Sequence, residues 1–135
     1  MPVDTEAFLA RWNSAVHARD TEGLAALLAD EVSMGAPPYW NRIEDKAVVA
    51  HLLGIIVETI TDFTYQRQWL DGAELALEFH GHVDDCELQG IDLITLGEDG
   101  LVLRLDVMIR PENALVLLRE RVGPRMLEFF EAKAD

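Results

Sequence analysis

The spacing of the apolar residues changes near position 60 of this 135-residue chain, and that change limits the folds open to it. Before position 60, apolar side chains recur every three or four residues, which predicts helices over 5–19, 21–29 and 45–60. After it, apolar and polar residues alternate, as in Leu75, Leu77 and Phe79. Alternation predicts strands, here over 63–70, 75–83, 87–96 and 101–110.

Two further segments complete the order of elements. A short strand is predicted over 32–36, before the Pro37-Pro38 pair that opens a loop ending at Ile43. A last helix should begin at Pro111 and break at Gly123-Pro124. The chain therefore predicts a single α+β domain over 1–135, in which three N-terminal helices and a C-terminal helix pack on a curved, mixed or antiparallel sheet.

Composition excludes several classes of function. The formal charge is −14, with 25 acidic against 11 basic residues, so neither nucleic acid nor an anionic membrane surface is an expected partner. No apolar run is long enough to span a membrane. A single cysteine, Cys86, and an N-terminus without a signal-peptide pattern predict a cytoplasmic protein.

The predicted turns fix which side chains share a face of the sheet. If Val83 pairs with Cys86 and Leu96 with Leu101, then Asp92 lies opposite Leu77 and Leu105. One face is then almost entirely apolar and should meet the helices: Leu75, Leu77, Phe79, Gly90, Asp92, Ile94, Leu103, Leu105, Val107 and Ile109. Asp92 is the charged exception, and a register slip of one residue would move it to the outer face.

Asp92 is the candidate catalytic residue. An ionised carboxylate in an apolar wall is costly, so it must find a partner, take up a proton or lie beside a ligand. A neutral Asp donates a hydrogen bond to a carbonyl or an oxyanion. The alternative is a structural Asp that bonds a Tyr, a Trp or a backbone donor.

The remaining candidates are ligand-binding residues. Trp12 is either core or pocket lining, Tyr39 and Trp40 either cap the cavity mouth or pack on the sheet, and His51 is either a boundary residue or a partner for Asp92. Four inward sheet residues complete the predicted lining: Leu77, Phe79, Leu105 and Val107. No cofactor or metal is expected, although His80 and His82 share the outer face with Glu78 and Asp106. On that face Ile91, Leu93 and Met108 predict a homodimer interface.

The element order and the segment Gly90–Pro111, GIDLITLGEDGLVLRLDVMIRP, resemble the nuclear transport factor 2-like superfamily and its SnoaL-like branch of polyketide cyclase relatives. The resemblance implies a cystatin-like, cone-shaped fold with one deep apolar pocket and frequent dimers. Asp92 looks like the oxyanion-binding Asp of the ketosteroid isomerases in this superfamily. Trp12 and Ala36 stand where those enzymes carry their acid Tyr and base Asp.

Function is therefore expected to be the binding of a small apolar molecule, with cofactor-free proton transfer by Asp92 as the enzymatic possibility. That chemistry covers isomerases, cyclases, dehydratases and hydrolases. The alternative is a non-catalytic ligand-binding or dimerisation module of the same fold.

Overall fold

The computed structural model describes residues 3–134. Its elements are α1 (Thr5–His17), α2 (Thr21–Ala26), β1 (Leu28–Gly35), α3 (Lys46–Thr59), β2 (Thr61–Asp71), β3 (Glu74–Val83), β4 (Cys86–Leu96), β5 (Val102–Arg110) and α4 (Glu112–Ala134). The predicted α+β order of elements is thereby confirmed. Within residues 3–134, no helix combines the length and the apolar character that crossing a membrane requires.

Aspartates begin the first three helices. The Asp4 side chain accepts a hydrogen bond from Ala7 N, the Asp20 side chain from Gly23 N, and the Asp45 side chain from Ala47 N and Val48 N. Each carboxylate satisfies amide groups that lack a partner inside the helix. These aspartates thus specify where α1, α2 and α3 begin.

The five strands form one sheet in the order β1-β5-β4-β3-β2. β1 runs parallel to β5, and the other neighbours are antiparallel. The β3–β4 register is the predicted one, with Val83 opposite Cys86 and Leu77 opposite Asp92. The inner face packs with α1, α2 and α3 into one hydrophobic core.

The β4–β5 register differs from the prediction by two residues. Asp92 lies opposite Val107 instead of Leu105, because Leu96 pairs with Val102 instead of Leu101 and an irregularity between Thr95 and Leu96 adds a second residue of displacement. A displacement of two residues returns every side chain to the same face of a strand. The residues predicted for the inner face of β4 and β5 therefore lie on that face, although the predicted pairing between the strands is wrong.

Three predicted boundaries are also wrong. The helix expected over 21–29 ends at Ala26, and β1 begins at Leu28, earlier than predicted. α4 continues through Pro124, where a break was expected. Contacts with α3 hold the second half of α4 in place: the Phe129 ring stacks on His51 with 4.0 Å between centroids, and Arg125 Nη2 lies 2.7 Å from Glu58 Oε2.

Candidate functional site

Asp92 lies at the centre of β4 on the inner face of the sheet, with 7% of its surface exposed. Its cross-strand neighbours are Leu77 on β3, which is fully buried, and Val107 on β5, which is partly buried. The carboxyl group is therefore surrounded mainly by hydrocarbon, as the alternation of residues in β3 and β4 predicts.

A short chain of hydrogen bonds leads from Asp92 to the first helix. Tyr65 Oη on β2 donates to Asp92 Oδ2 over 2.8 Å. The indole Nε1 of Trp12 on α1 donates to Tyr65 Oη over 2.9 Å. Three elements that are distant in sequence thus meet at one polar cluster inside the core, and we call Trp12, Tyr65 and Asp92 the interior triad.

Burial changes the acid–base properties of this triad. Removal from water raises the pKa of Asp92 to about 7, although the hydrogen bond from Tyr65 opposes the shift. Burial, together with the neighbouring Asp92 carboxylate, also raises the pKa of Tyr65 well above its ordinary value. A pKa near neutrality is the range in which a carboxyl group acts most effectively as a general acid or base at physiological pH.

A separate open pocket of about 590 Å³ lies between α3, α4 and the loop that follows β1. We call it the α3–α4 pocket. Its lining is almost wholly apolar and consists of Ala36, Pro37, Pro38, Tyr39, Ile43, Val48, Leu52, Ile56, Leu118, Arg119, Val122, Gly123, Met126, Leu127 and Phe130. A volume of this size and chemistry is typical of small-molecule sites.

The interior triad does not line this pocket. Ala36 and Leu52 nevertheless belong both to the pocket wall and to the hydrophobic core that contains Trp12. The pocket is therefore bounded in part by side chains of the hydrophobic core.

Four of the predicted lining residues are core residues instead. Trp12, Leu77, Phe79 and Leu105 are each at most 2% exposed, and none borders the α3–α4 pocket. Their predicted inward direction is observed, and all four belong to the hydrophobic core. Val107 also lies outside the lining of this pocket.

The loop aromatics separate into two environments. Tyr39 is 62% exposed and lines the α3–α4 pocket, as expected of a residue at a cavity mouth. Trp40 is 95% exposed and does not line this pocket, but with Tyr39 and Val107 it lines a second open pocket of about 640 Å³ beside β5. Paired backbone hydrogen bonds of 2.8 Å between Met34 and Ile43 close the base of the loop and leave Trp40 at its tip.

His51 is half-buried on α3 and stacks on Phe129. This contact joins α3 to α4, which forms one wall of the α3–α4 pocket. His51 thus acts as a boundary residue, the first of the two predicted alternatives, and the hydrogen-bond partner that the structure gives Asp92 is Tyr65.

Tyr65 is the residue that the sequence analysis missed. Uninterrupted pairing back from the Asp71–Glu74 turn would place Tyr65 opposite His80, on the outer face. An irregularity between Tyr65 and Gln68 places it opposite Phe79, on the inner face. The signal available in the sequence was a tyrosine on the strand beside β3, but its direction depends on this bulge.

The outer face carries a second buried carboxylate. Glu78, 4% exposed, accepts from Arg67 Nε and from Gln89 Nε2, and its Oε2 lies 3.1 Å from His80 Nε2. The Arg67 guanidinium and these other hydrogen bonds lower the pKa of Glu78 to about 2. Over residues 3–134, no three His, Cys, Asp or Glu side chains converge as metal ligands would.

The predicted dimer patch is accessible. On the outer face Leu93 is 38% exposed and Met108 is 57% exposed, with Ile91 partly buried between the neighbouring strands. A charged border surrounds them, including Arg104, whose Nε lies 2.8 Å from Asp106 Oδ2. The surface thus has the apolar centre and polar rim of many interfaces.

Comparison with solved structures supports the fold and a family assignment. A steroid delta-isomerase from Pseudomonas aeruginosa is 32% identical with a TM-score of 0.88, and the alignment covers 97% of this chain and 98% of that one. A protein with a cystatin-like fold from Silicibacter pomeroyi DSS-3 is 33% identical with a TM-score of 0.84, over 87% and 84% of the two chains.

A more distant similarity concerns the fold alone. An NTF2-like protein from Burkholderia xenovorans LB400 is 14% identical with a TM-score of 0.69, over 80% of this chain and 88% of that one. No protein-family model matches the chain. A search of curated proteins gives no match either.

Proposed function

Because the chain belongs to the nuclear transport factor 2-like superfamily, we propose that it binds a small, largely apolar molecule in its α3–α4 pocket. The pocket itself is the observation that carries the proposal. It holds about 590 Å³ behind a nearly continuous hydrocarbon lining, so a ligand there gains free energy from the burial of apolar surface. The Pseudomonas aeruginosa relative is a steroid delta-isomerase, so steroids are the first compounds to test.

A pocket-filling variant tests the proposal. Ile56 lines the pocket from α3, and Ile56→Trp should occupy part of the volume that a ligand needs. Leu117→Trp is the matched control, because Leu117 is a partly buried residue on α4 outside the lining. We expect a thermal-shift screen of small ketones, epoxides and steroids to find ligands whose calorimetric affinity falls about tenfold or more in Ile56→Trp and persists in Leu117→Trp.

Two results would contradict ligand binding at this site. One is a wild-type protein that no member of the screen stabilises. The other is an Ile56→Trp variant that folds and binds the same compounds as tightly as the wild type, because the ligand would then lie elsewhere.

Proton transfer by Asp92 is the second candidate function. Its support is a buried carboxyl group with a pKa of about 7 that accepts a hydrogen bond from Tyr65. Such a group can exchange a proton with the carbonyl or hydroxyl of a ligand without a cofactor when that ligand reaches the interior triad, which the lining of the α3–α4 pocket does not include. Ala36 has no titratable group, so a base at that position cannot contribute.

Asp92→Asn distinguishes the enzyme from a non-catalytic binder. The change keeps the shape of the side chain and removes its titration, so turnover of a ligand found in the screen should be abolished while binding is kept. Glu78→Gln is the control, since it alters a buried carboxylate on the opposite face. An Asp92→Asn variant that retains turnover would exclude catalysis by Asp92. If Asp92 is purely structural, as its bond from Tyr65 also permits, no turnover will be found with any bound ligand.

We also propose that two copies of the chain associate through the outer face of the sheet. The exposed side chains of Leu93 and Met108 support this, because burying them against a second copy would remove apolar surface from water. Neighbouring charges of both signs, such as Arg104 and Asp106, would allow the same surface to complement itself across a two-fold axis.

A further inference from the structure

We propose that the ligand of the α3–α4 pocket is an apolar carboxylate whose charged group pairs with Arg119. This inference rests on the proposed function and narrows it to one class of ligand. Arg119 is the charged residue among the described side chains that line the pocket, and Tyr39 supplies the hydroxyl among them. All the other lining residues offer hydrocarbon or backbone.

Four of the nine arginines form no ion pair among residues 3–134, namely Arg11, Arg19, Arg110 and Arg119, and of these Arg119 is the one that lines the α3–α4 pocket. The other five arginines pair with carboxylates of the chain, namely Arg42, Arg67, Arg104, Arg121 and Arg125. Acidic residues outnumber basic ones by 25 to 11, so carboxylate partners are plentiful. Within residues 3–134, Arg119 is exposed and forms no ion pair, although it lies on a helix rich in glutamate.

The position of Arg119 and its chemistry together indicate which ligand would suit this site. Arg119 lies between Leu118 and Val122 on α4, and all three residues line the pocket, so Arg119 places a positive charge beside an apolar surface. A guanidinium group presents paired N–H donors that match the two oxygens of a carboxylate. A ligand with a hydrocarbon body and a terminal carboxylate would bury its hydrocarbon in the pocket and place its carboxylate at Arg119.

The expected size of the effect follows from exposure. An ion pair in contact with solvent is partly screened, so the carboxylate should improve affinity by roughly three- to tenfold over a neutral group of similar shape. The hydrocarbon body supplies the remainder, and therefore a neutral analogue should still bind. Higher salt should reduce the preference for the acid without affecting the neutral analogue.

The experiment compares dodecanoate with 1-dodecanol by calorimetry, in the wild type, Arg119→Gln and Arg11→Gln. Arg11 is the control, because it is an exposed arginine on α1 that does not line the α3–α4 pocket. We expect the wild type and Arg11→Gln to prefer dodecanoate, and Arg119→Gln to bind both compounds with the wild-type affinity for 1-dodecanol.

The other possible results of this experiment contradict either the pairing with Arg119 alone or ligand binding in the pocket as a whole. Equal affinity of the wild type for both compounds, or equal loss of both in Arg119→Gln, overturns the pairing with Arg119 and leaves the apolar pocket in place. If neither compound binds and the steroid and ketone screen is also negative, both the inference and the proposed function fail. A dodecanoate preference that persists in Arg119→Gln would assign the carboxylate to another group.

Discussion

Replacing Asp92 with asparagine should change how the stability of the protein depends on pH. Asp92 has a pKa of about 7 in the folded protein, whereas an unfolded aspartate has a pKa of about 3.9. The folded state therefore binds more protons than the unfolded state between these values. Stability is highest when Asp92 is protonated in both states and falls as the pH rises towards the folded pKa.

The magnitude follows from the separation of the two pKa values. About three pKa units correspond to roughly 4 kcal/mol once Asp92 is fully ionised. The sequence pI is about 4.5, so measurements are best made from pH 5 to pH 8.5, where solubility is favourable and about 2.5 kcal/mol of this cost develops. The amide in the Asp92→Asn variant would not titrate, and its oxygen would still accept the bond from Tyr65.

Urea unfolding of wild type and Asp92→Asn at several pH values measures the effect directly. Subtracting the two curves cancels the contributions of other titrating groups, including Glu78. We expect the free energy of unfolding of Asp92→Asn, relative to wild type, to rise by about 2.5 kcal/mol across the range. A constant difference would refute the reasoning, because an ordinary exposed aspartate is already ionised throughout it.

Three more changes test separate parts of the structure. Tyr65→Phe removes the donor to Asp92 and the acceptor for Trp12 Nε1, so urea unfolding should show a loss of about 1–3 kcal/mol, and an unchanged stability would contradict the interior triad. Pro124→Ala restores a backbone donor inside α4 and should raise stability by about 1–3 kcal/mol, whereas destabilisation would show that Pro124 suits this helix. Leu93→Asp should convert a dimer at micromolar concentration into a monomer in sedimentation velocity, and a wild type that is already monomeric would remove the dimer proposal.

Much of the fold could be predicted from local signals. The change from helical spacing to alternation gave the order of the elements, and aspartates at 4, 20 and 45 begin helices in the structure. The direction of Asp92 could also be predicted, because the displacement of the β4–β5 register by two residues left its face unchanged.

The interior triad and the pocket depended on tertiary contacts that sequence spacing does not encode. A bulge in β2 turns Tyr65 inward, and nothing in the alternation of that strand marks it. The contacts of Phe129 and Arg125 with α3 carry α4 past Pro124, and this continuous helix contributes Met126, Leu127 and Phe130 to the pocket. Because a helix break was expected at Gly123-Pro124, the part of the α3–α4 pocket that the second half of α4 forms could not be predicted from the sequence.

The titration of the Asp92 carboxyl carbon by NMR tests the central structural claim most directly. With Asp92→Asn used to assign its resonance, the carboxyl group should titrate near pH 7, because burial disfavours its charged form. A midpoint near pH 4 would contradict this, since it would place the group in water and leave the core without its acidic residue.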